Sequence, residues 1–308
     1  MNSVELPVCP YCKSEDYSEL TPAGLQCSGF SGLQNYVQPE FWARSCSNCK
    51  LVFKSRILDE SSLDDYYSST KYAKWESHRF YPTERHVLRL ANQLSEGKRL
   101  LDIGCSSGRL LHELIHKHSC FGIEPNIEAA KAAEGKGIHI VTSEELRLGR
   151  LSPFDAVFLM DVYEHLREPR ELLASIWSNL KAGGRIFIAT GNSNASSLRR
   201  DLANSWYLQN VEHLIMASPG HFAAAAEDIG FEIESSFLCS HYDANLRMRV
   251  EQICKQLAFN LSRNENGFCW RYMFRKLPLL NRAESWPRRP PCNLGKDHFV
   301  TSLLKPNI

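Results

Sequence analysis

The sequence predicts an α/β protein built on a doubly wound parallel sheet, preceded by a small metal-stapled module. Three observations predict it. Short apolar runs alternate with helical stretches from about residue 83 to the end. One strand, Leu100 to Ile103, leads into a tight small-residue turn, Gly104-Cys105-Ser106-Ser107-Gly108, and a second strand ends in Glu124. Two C-x2-C pairs, Cys9/Cys12 and Cys46/Cys49, stand near the N-terminus.

The turn carries the first chemistry. Small residues let a ligand approach the backbone, and the helix that follows points its free N–H groups at that ligand. Glu124 stands 22 residues after Asp102, and an acid at the tip of the second strand is suited to holding both hydroxyls of a ribose. A nucleoside-type cofactor is therefore expected across the carboxyl ends of the strands. The pattern Asp102-x-Gly104-x-Ser106-x-Gly108 lacks the three-glycine dinucleotide fingerprint, and its acid would repel a pyrophosphate but favour a cationic sulfonium. On these residues the chain resembles the class I S-adenosylmethionine-dependent methyltransferases, with Ser106 replacing the middle glycine of their first motif. The resemblance implies a Rossmann-like seven-stranded sheet and S-adenosyl-L-methionine as cofactor. It implies contacts from Asp102, Gly104, Cys105, Ser106, Gly108, Glu124, Pro125 and Asp161.

The remaining elements follow in that order. Thr83 to Leu94 reads as the first helix of the fold. Ile138 to Val141 reads as a third strand and Phe154 to Asp161 as a fourth, apolar enough to be buried on both faces. Arg170 to Leu180 is helical, with Lys181-Ala182-Gly183-Gly184 expected to close it. Arg185 to Thr190, Phe231 to Phe237 and His298 to Leu304 complete the strands, with a helix over Ala223 to Ile229. About 200 residues from about Tyr81 onward match the methyltransferase pattern in register.

Cys9, Cys12, Cys46 and Cys49 have the spacing of a four-thiolate zinc site in a zinc-ribbon-like module. Disulfides are the alternative reading. No basic-then-apolar leader opens the chain, so a cytoplasmic, reducing setting and structural zinc are expected. Four thiolates close the coordination shell, so this metal is read as a staple for a segment too poor in apolar residues to fold alone.

Composition excludes several classes. Net charge is +1 and charged residues make up 23%, so no general pull toward nucleic acid exists. Residues 1–50 hold three basic against five acidic side chains, which argues against phosphate tracking by the zinc module. No apolar run reaches the ~20 residues that span a bilayer. The domains expected are 1–56, the zinc-binding module; 57–82, an aromatic linker or lid; and 83–308, the methyltransferase domain.

For the 57–82 segment, with Tyr66, Tyr67, Tyr72, Trp75, Phe80 and Tyr81, two readings stand: a linker packed on the sheet's rim, or a lid over the site. The acceptor side is expected after the fourth and fifth strands, at Tyr163-Glu164-His165 and at Trp206 to His213. The second cluster resembles the Glu-His-Leu segment of zinc-module methyltransferases acting on nucleotide-linked sugars. That resemblance implies His213 as general base with Glu212 as its polar partner; His165 is the other candidate catalytic residue. A packing role for His213 is the alternative. A helical insert, 241–297, precedes the last strand and holds 11 Lys/Arg against 5 Asp/Glu, with aromatics interleaved. It suits a cap over the cleft, a dimer contact, a diphosphate, an anionic membrane surface or RNA.

The function expected is methyl transfer to a small molecule, a nucleotide-linked sugar or glycan precursor foremost. An RNA methyltransferase and a non-catalytic binding protein are the alternatives. Oligomeric state is left open.

Overall fold

Seven strands form the central sheet: β1 (Arg99–Ile103), β2 (Ser119–Ile123), β3 (His139–Ile140), β4 (Phe154–Met160), β5 (Leu180–Gly191), β6 (Glu232–Cys239) and β7 (His298–Leu304). Their order is β3-β2-β1-β4-β5-β7-β6. The first five pair in parallel, whereas β7 runs antiparallel to both β5 and β6. The structure, a computed structural model, describes residues 2–23, 26–27, 37–69, 79–195, 202–243, 245–262 and 296–307.

This topology gathers six chain segments at one edge. The carboxyl ends of β1, β2, β4 and β5 lie there, and the start of β7 joins them because His298 pairs with Gly191. His298 also pairs with Cys239, so the end of β6 arrives at the same edge. Ligands in open α/β sheets sit outside such carboxyl ends.

β4 is buried on both faces, as its continuous apolar run predicts. Phe158 packs with Phe187, Leu100 and Val87 on one face; Val157 and Leu159 pack with Ile186, Ile188, Tyr163 and Phe222 on the other. The helix Pro82–Ala91 covers the first face and Pro169–Asn179 and Pro219–Ile229 lie against the second.

One expected helix stop is corrected. Lys181 to Gly184 do not end the helix with glycine; the chain turns extended at Leu180 and these residues belong to β5. Leu180 pairs with Phe154 while Arg185 pairs with Ala156, so the intervening residues form a bulge. Gly183, at φ +73°, donates its N–H to the Lys305 carbonyl there. The glycine serves a sheet kink.

The N-terminal strands Tyr17–Ala23, Phe41–Cys46 and Val52–Lys54 make an antiparallel sheet that a fourth strand, Ile215–Met216, extends. Ile215 pairs with Phe53 and Met216 with Val52, so the module and the main sheet share one core. The helix Glu60–Ser69 then leads toward the sheet, with Tyr66 fully buried. A helix, Leu246–Ser262, opens the insert. Lys71 to Trp75 of the aromatic stretch and the insert's Phe268, Trp270, Tyr272, Phe274 and Trp286 lie outside the described residues. No helix among the described residues is long and apolar enough to cross a membrane.

Candidate active site

Asp102 sits near the carboxyl end of β1 with 3% of its surface exposed, and its Oδ1 is buried without a partner. Burial pushes its carboxyl well above the usual range, and the Glu84 and Glu124 carboxylates push it further. A cationic group placed against it would restore its charge.

The turn that follows is forced into shape by glycine at two points. Gly104 has φ +75°, and a Cβ there would fall 2.5 Å from Val162 Cγ2. Gly108, at φ +72°, caps the next helix, and its Cβ would collide with Ile138 Cδ1. Between them Ser106 takes φ +48°. Glu124 pins the turn: its Oε2 accepts from the Ser106 N–H at 2.8 Å and its Oε1 from the Asn126 N–H at 2.8 Å. Cys105 lies beneath, buried against Gly122, and Pro125 is exposed beside Glu124. Each carboxylate oxygen retains further acceptor capacity. The orphaned Asp102 oxygen and the acid-rich cradle fit a nucleoside cofactor carrying positive charge.

Glu84 was not legible in the sequence. It lies in the first turn of the Pro82–Ala91 helix, accepts from the Tyr81 N–H at 2.6 Å and ion-pairs with Arg109. Arg109 also sits 4.7 Å from the centre of the Phe80 ring. This pair ties the entry helix to the glycine turn.

Two histidine clusters adjoin through the Tyr207 ring, which contacts both His213 and His298. In the first, Glu164, His165 and His213 bring their polar atoms within 4.8 Å of one another. Glu164 Oε2 accepts from Thr190 Oγ1 at 2.8 Å, and Tyr67 Oη lies 3.0 Å from His165 Nδ1. His213 packs against Tyr207 and His165, with ring centroids 4.3 and 4.9 Å away. Burial holds His213 well below the usual histidine range, with His165 and Lys54 adding to the effect, and its Nδ1 is buried without a partner. A neutral imidazole with a free nitrogen is a proton acceptor. Glu212 Oε2 is also buried without a partner. Behind this pair stands Lys54, fully buried, donating to the Asn210 carbonyl at 2.7 Å. Of the residues the sequence proposes, the fold brings His165 and His213 together, with Tyr67 of the aromatic segment on His165; Lys54 carries no signal in the sequence.

The second cluster, Asp161, His241 and His298, was read only in part. Asp161 was expected as a cofactor contact. It adopts φ +53° at the end of β4, and burial, with Glu164 next, pushes its carboxyl up to about 8. Its neighbours His241 and His298 stand at either end of a long insert, and sequence gave no sign that its ends meet.

Cys9, Cys12, Cys46 and Cys49 converge, with all four sulfurs within 4.8 Å. The Cys9–Cys49 and Cys12–Cys46 pairs are 3.5 and 3.4 Å apart. Those spacings are far beyond a disulfide bond of about 2.05 Å and close to the edge of a tetrahedral thiolate site with metal–sulfur bonds of about 2.3 Å. His221 Nδ1 lies 2.8 Å from the Cys49 carbonyl oxygen, and Tyr11 donates to Asp228 Oδ2 at 3.0 Å. The cysteine cluster is thereby anchored to the helix Pro219–Ile229.

Comparison with known proteins gives the family and the fold. A family profile described as a methyltransferase domain matches residues 75–236, more than half of the chain. A ubiquinone biosynthesis O-methyltransferase of Thiobacillus denitrificans is 27% identical over 153 residues, 45% of this chain and 66% of that protein. A tRNA U34 carboxymethyltransferase of Pseudomonas fluorescens is 29% identical over 139 residues, 39% of this chain and 44% of that protein. The chain thus spans at most about two thirds of these two relatives. A chain from the complex between the Haloferax volcanii Trm112 methyltransferase activator and a methyltransferase superposes with a TM-score of 0.51 at 15% identity. It covers 73% of this chain and 89% of that one, a likeness of fold.

Proposed function

This chain belongs to the methyltransferase-domain family, and from that premise we propose that it transfers the methyl group of S-adenosylmethionine to a small-molecule acceptor. The observation that carries the reading is an acid-rich cradle and a buried histidine at one sheet edge, with Asp102 Oδ1 and His213 Nδ1 both buried without partners. Asp102, with its orphaned buried oxygen, faces the cationic end of the cofactor. Glu124 holds the ribose, and Gly104, Cys105, Ser106 and Gly108 shape the turn beneath, with Pro125 at its rim. Bound there, S-adenosylmethionine supplies an electrophilic methyl group on a sulfonium.

His213 takes the acceptor's proton. Its depressed proton affinity keeps it neutral and available near neutral pH. His165 packs edge-on against it, and Tyr67 bonds to His165 from the linker side. A hydroxyl acceptor suits this base, since a neutral hydroxyl becomes nucleophilic as it loses its proton. The O-methyltransferase among the relatives favours oxygen, and the hydroxyl of a sugar, nucleotide-linked or within a glycan precursor, belongs to the same class. Zinc is the ion we assign to the four cysteines, as a staple without catalytic work. The tRNA-modifying relative keeps an RNA acceptor as the second reading.

Calorimetric titration with S-adenosylmethionine and S-adenosylhomocysteine tests the proposal. Binding is expected in the parent chain and is weakened in Asp102→Asn. His213→Gln is expected to bind the cofactor unchanged and to lose turnover on hydroxyl acceptors. Absence of cofactor binding, with and without nucleotide sugars present, would refute the reading. Turnover of RNA in place of small molecules would select the second.

A further inference from the structure

Asp161, His241 and His298 come from three separate segments, the end of β4, the residues after β6 and the start of β7. One ligand atom from each lies within 4.8 Å of the others. Asp161 Oδ1 and His241 Nδ1 are buried without partners. His298 is 1% exposed. Its Nδ1 lies 3.3 Å from Asp297 Oδ1, at ion-pair distance but without hydrogen-bond alignment. Asp297 is itself fully buried and accepts from the His241 backbone N–H at 3.0 Å. One buried carboxylate therefore stands behind both histidines.

We propose that these three residues form a metal site for one divalent transition ion, separate from the four-cysteine cluster, at the acceptor end of the cleft. Two imidazoles and one carboxylate suit zinc, iron(II) or cobalt(II) better than magnesium or calcium, which prefer all-oxygen shells. A carboxylate behind a ligating histidine fixes its ring and raises its basicity, and Asp297, 3.3 Å from His298 Nδ1, is placed to take that role once the ring N–H turns onto it. Ring packing locks the same side chains: Tyr81 stacks on His241 at 4.5 Å, and Trp206 on His298 at 6.2 Å. Three protein ligands leave positions open, unlike the closed four-thiolate shell.

The open positions would take the oxygen of a hydroxyl acceptor, so this inference rests on the methyltransferase reading for the ion's role, though not for its binding. A hydroxyl held there would lose its proton toward His213, whose ring lies across Tyr207 from His298, and an oxygen electron pair would form the new bond to the methyl carbon. The carbon–sulfur bond breaks with its pair remaining on sulfur, leaving a neutral thioether. Favoured acceptors present two adjacent oxygens, such as a vicinal diol, a catechol or a hydroxy acid.

The test is titration of the zinc-loaded full chain with cobalt(II) chloride, read by visible absorption and by affinity. The expected result is one further equivalent of cobalt, with the d–d absorption of nitrogen and oxygen ligands and no thiolate charge-transfer band. Asp161→Asn and His241→Ala should each weaken it more than about tenfold, and Asp297→Asn by about 10–100-fold. S-adenosylhomocysteine titration of the same samples reports separately on folding and on the cofactor site. The near-isosteric Asp161→Asn remains informative if His241→Ala does not fold, because asparagine tolerates the same positive φ. No cobalt beyond the cysteine site, a thiolate band alone, or affinity unchanged in Asp161→Asn overturns the proposal. Cobalt bound without any cofactor binding would keep the ion and remove the methyltransferase reading.

Discussion

Replacing Lys54 by methionine should remove a pH-dependent cost to stability beside the candidate base. Lys54 is fully buried behind Glu212 and His213, with its Nζ on the Asn210 carbonyl and 5.0 Å from the Phe41 ring centre. Burial pushes its ammonium down to about 7 from 10.5, with Glu212 opposing the fall. Between those values the unfolded chain binds more protons at this site than the folded one, so its contribution to stability rises with pH. At about 1.4 kcal/mol per pH unit, the site costs about 5 kcal/mol when fully charged. Between pH ~6.5 and ~9.5 that cost falls by about 3 kcal/mol. Methionine keeps the length and the apolar stem without the charge. It removes one of two hydrogen bonds on the Asn210 carbonyl, which keeps the His213 N–H at 3.2 Å, at a cost of about 0.5–1.5 kcal/mol. Lys54→Met should therefore be more stable than the parent at the acid end, and that margin should shrink by about 3 kcal/mol toward the alkaline end. Urea denaturation of both proteins across that range gives the difference directly, with shared titrations cancelling. A difference that does not change with pH would refute the buried, displaced ammonium.

Two further outcomes follow from packing and metal chemistry. Gly108→Ala should cost about 2–5 kcal/mol, from left-handed backbone strain and from overpacking against Ile138. Combining it with Ile138→Val, which deletes the clashing methyl, should recover part of that in denaturant melts; strict additivity of the two changes would count against the clash. Chelation of the four-cysteine site should reduce hydrogen-exchange protection at Val52–Lys54 and at Ile215–Met216, since those strands pair. Protection in β1 and β4 should persist, and intact protection at the paired strands would show that the module does not depend on its metal.

Much of the candidate site was legible because its signals are local. A turn needing φ above zero at two positions calls for glycine at 104 and 108, and an acid at a strand tip is a property of a few neighbouring residues. The C-x2-C pairs declare themselves by spacing. Lys181 to Gly184 misled because glycine punctuates helix ends and sheet bulges alike, and only strand pairing distinguishes them. Lys54 carried no signal, as a lysine in a short strand ordinarily reaches solvent.

By itself the sequence determined the strand and helix order, the glycine turn, Glu124 and the cysteine set, since each follows from backbone conformation or from ligand spacing a few residues long. Only the tertiary structure decided that β7 lies antiparallel between β5 and β6. That placement sets His298 beside Gly191 and Cys239 and brings it to Asp161 and His241. Strand pairing across an insert of more than fifty residues is fixed by burial of the whole sheet, and no local pattern encodes it.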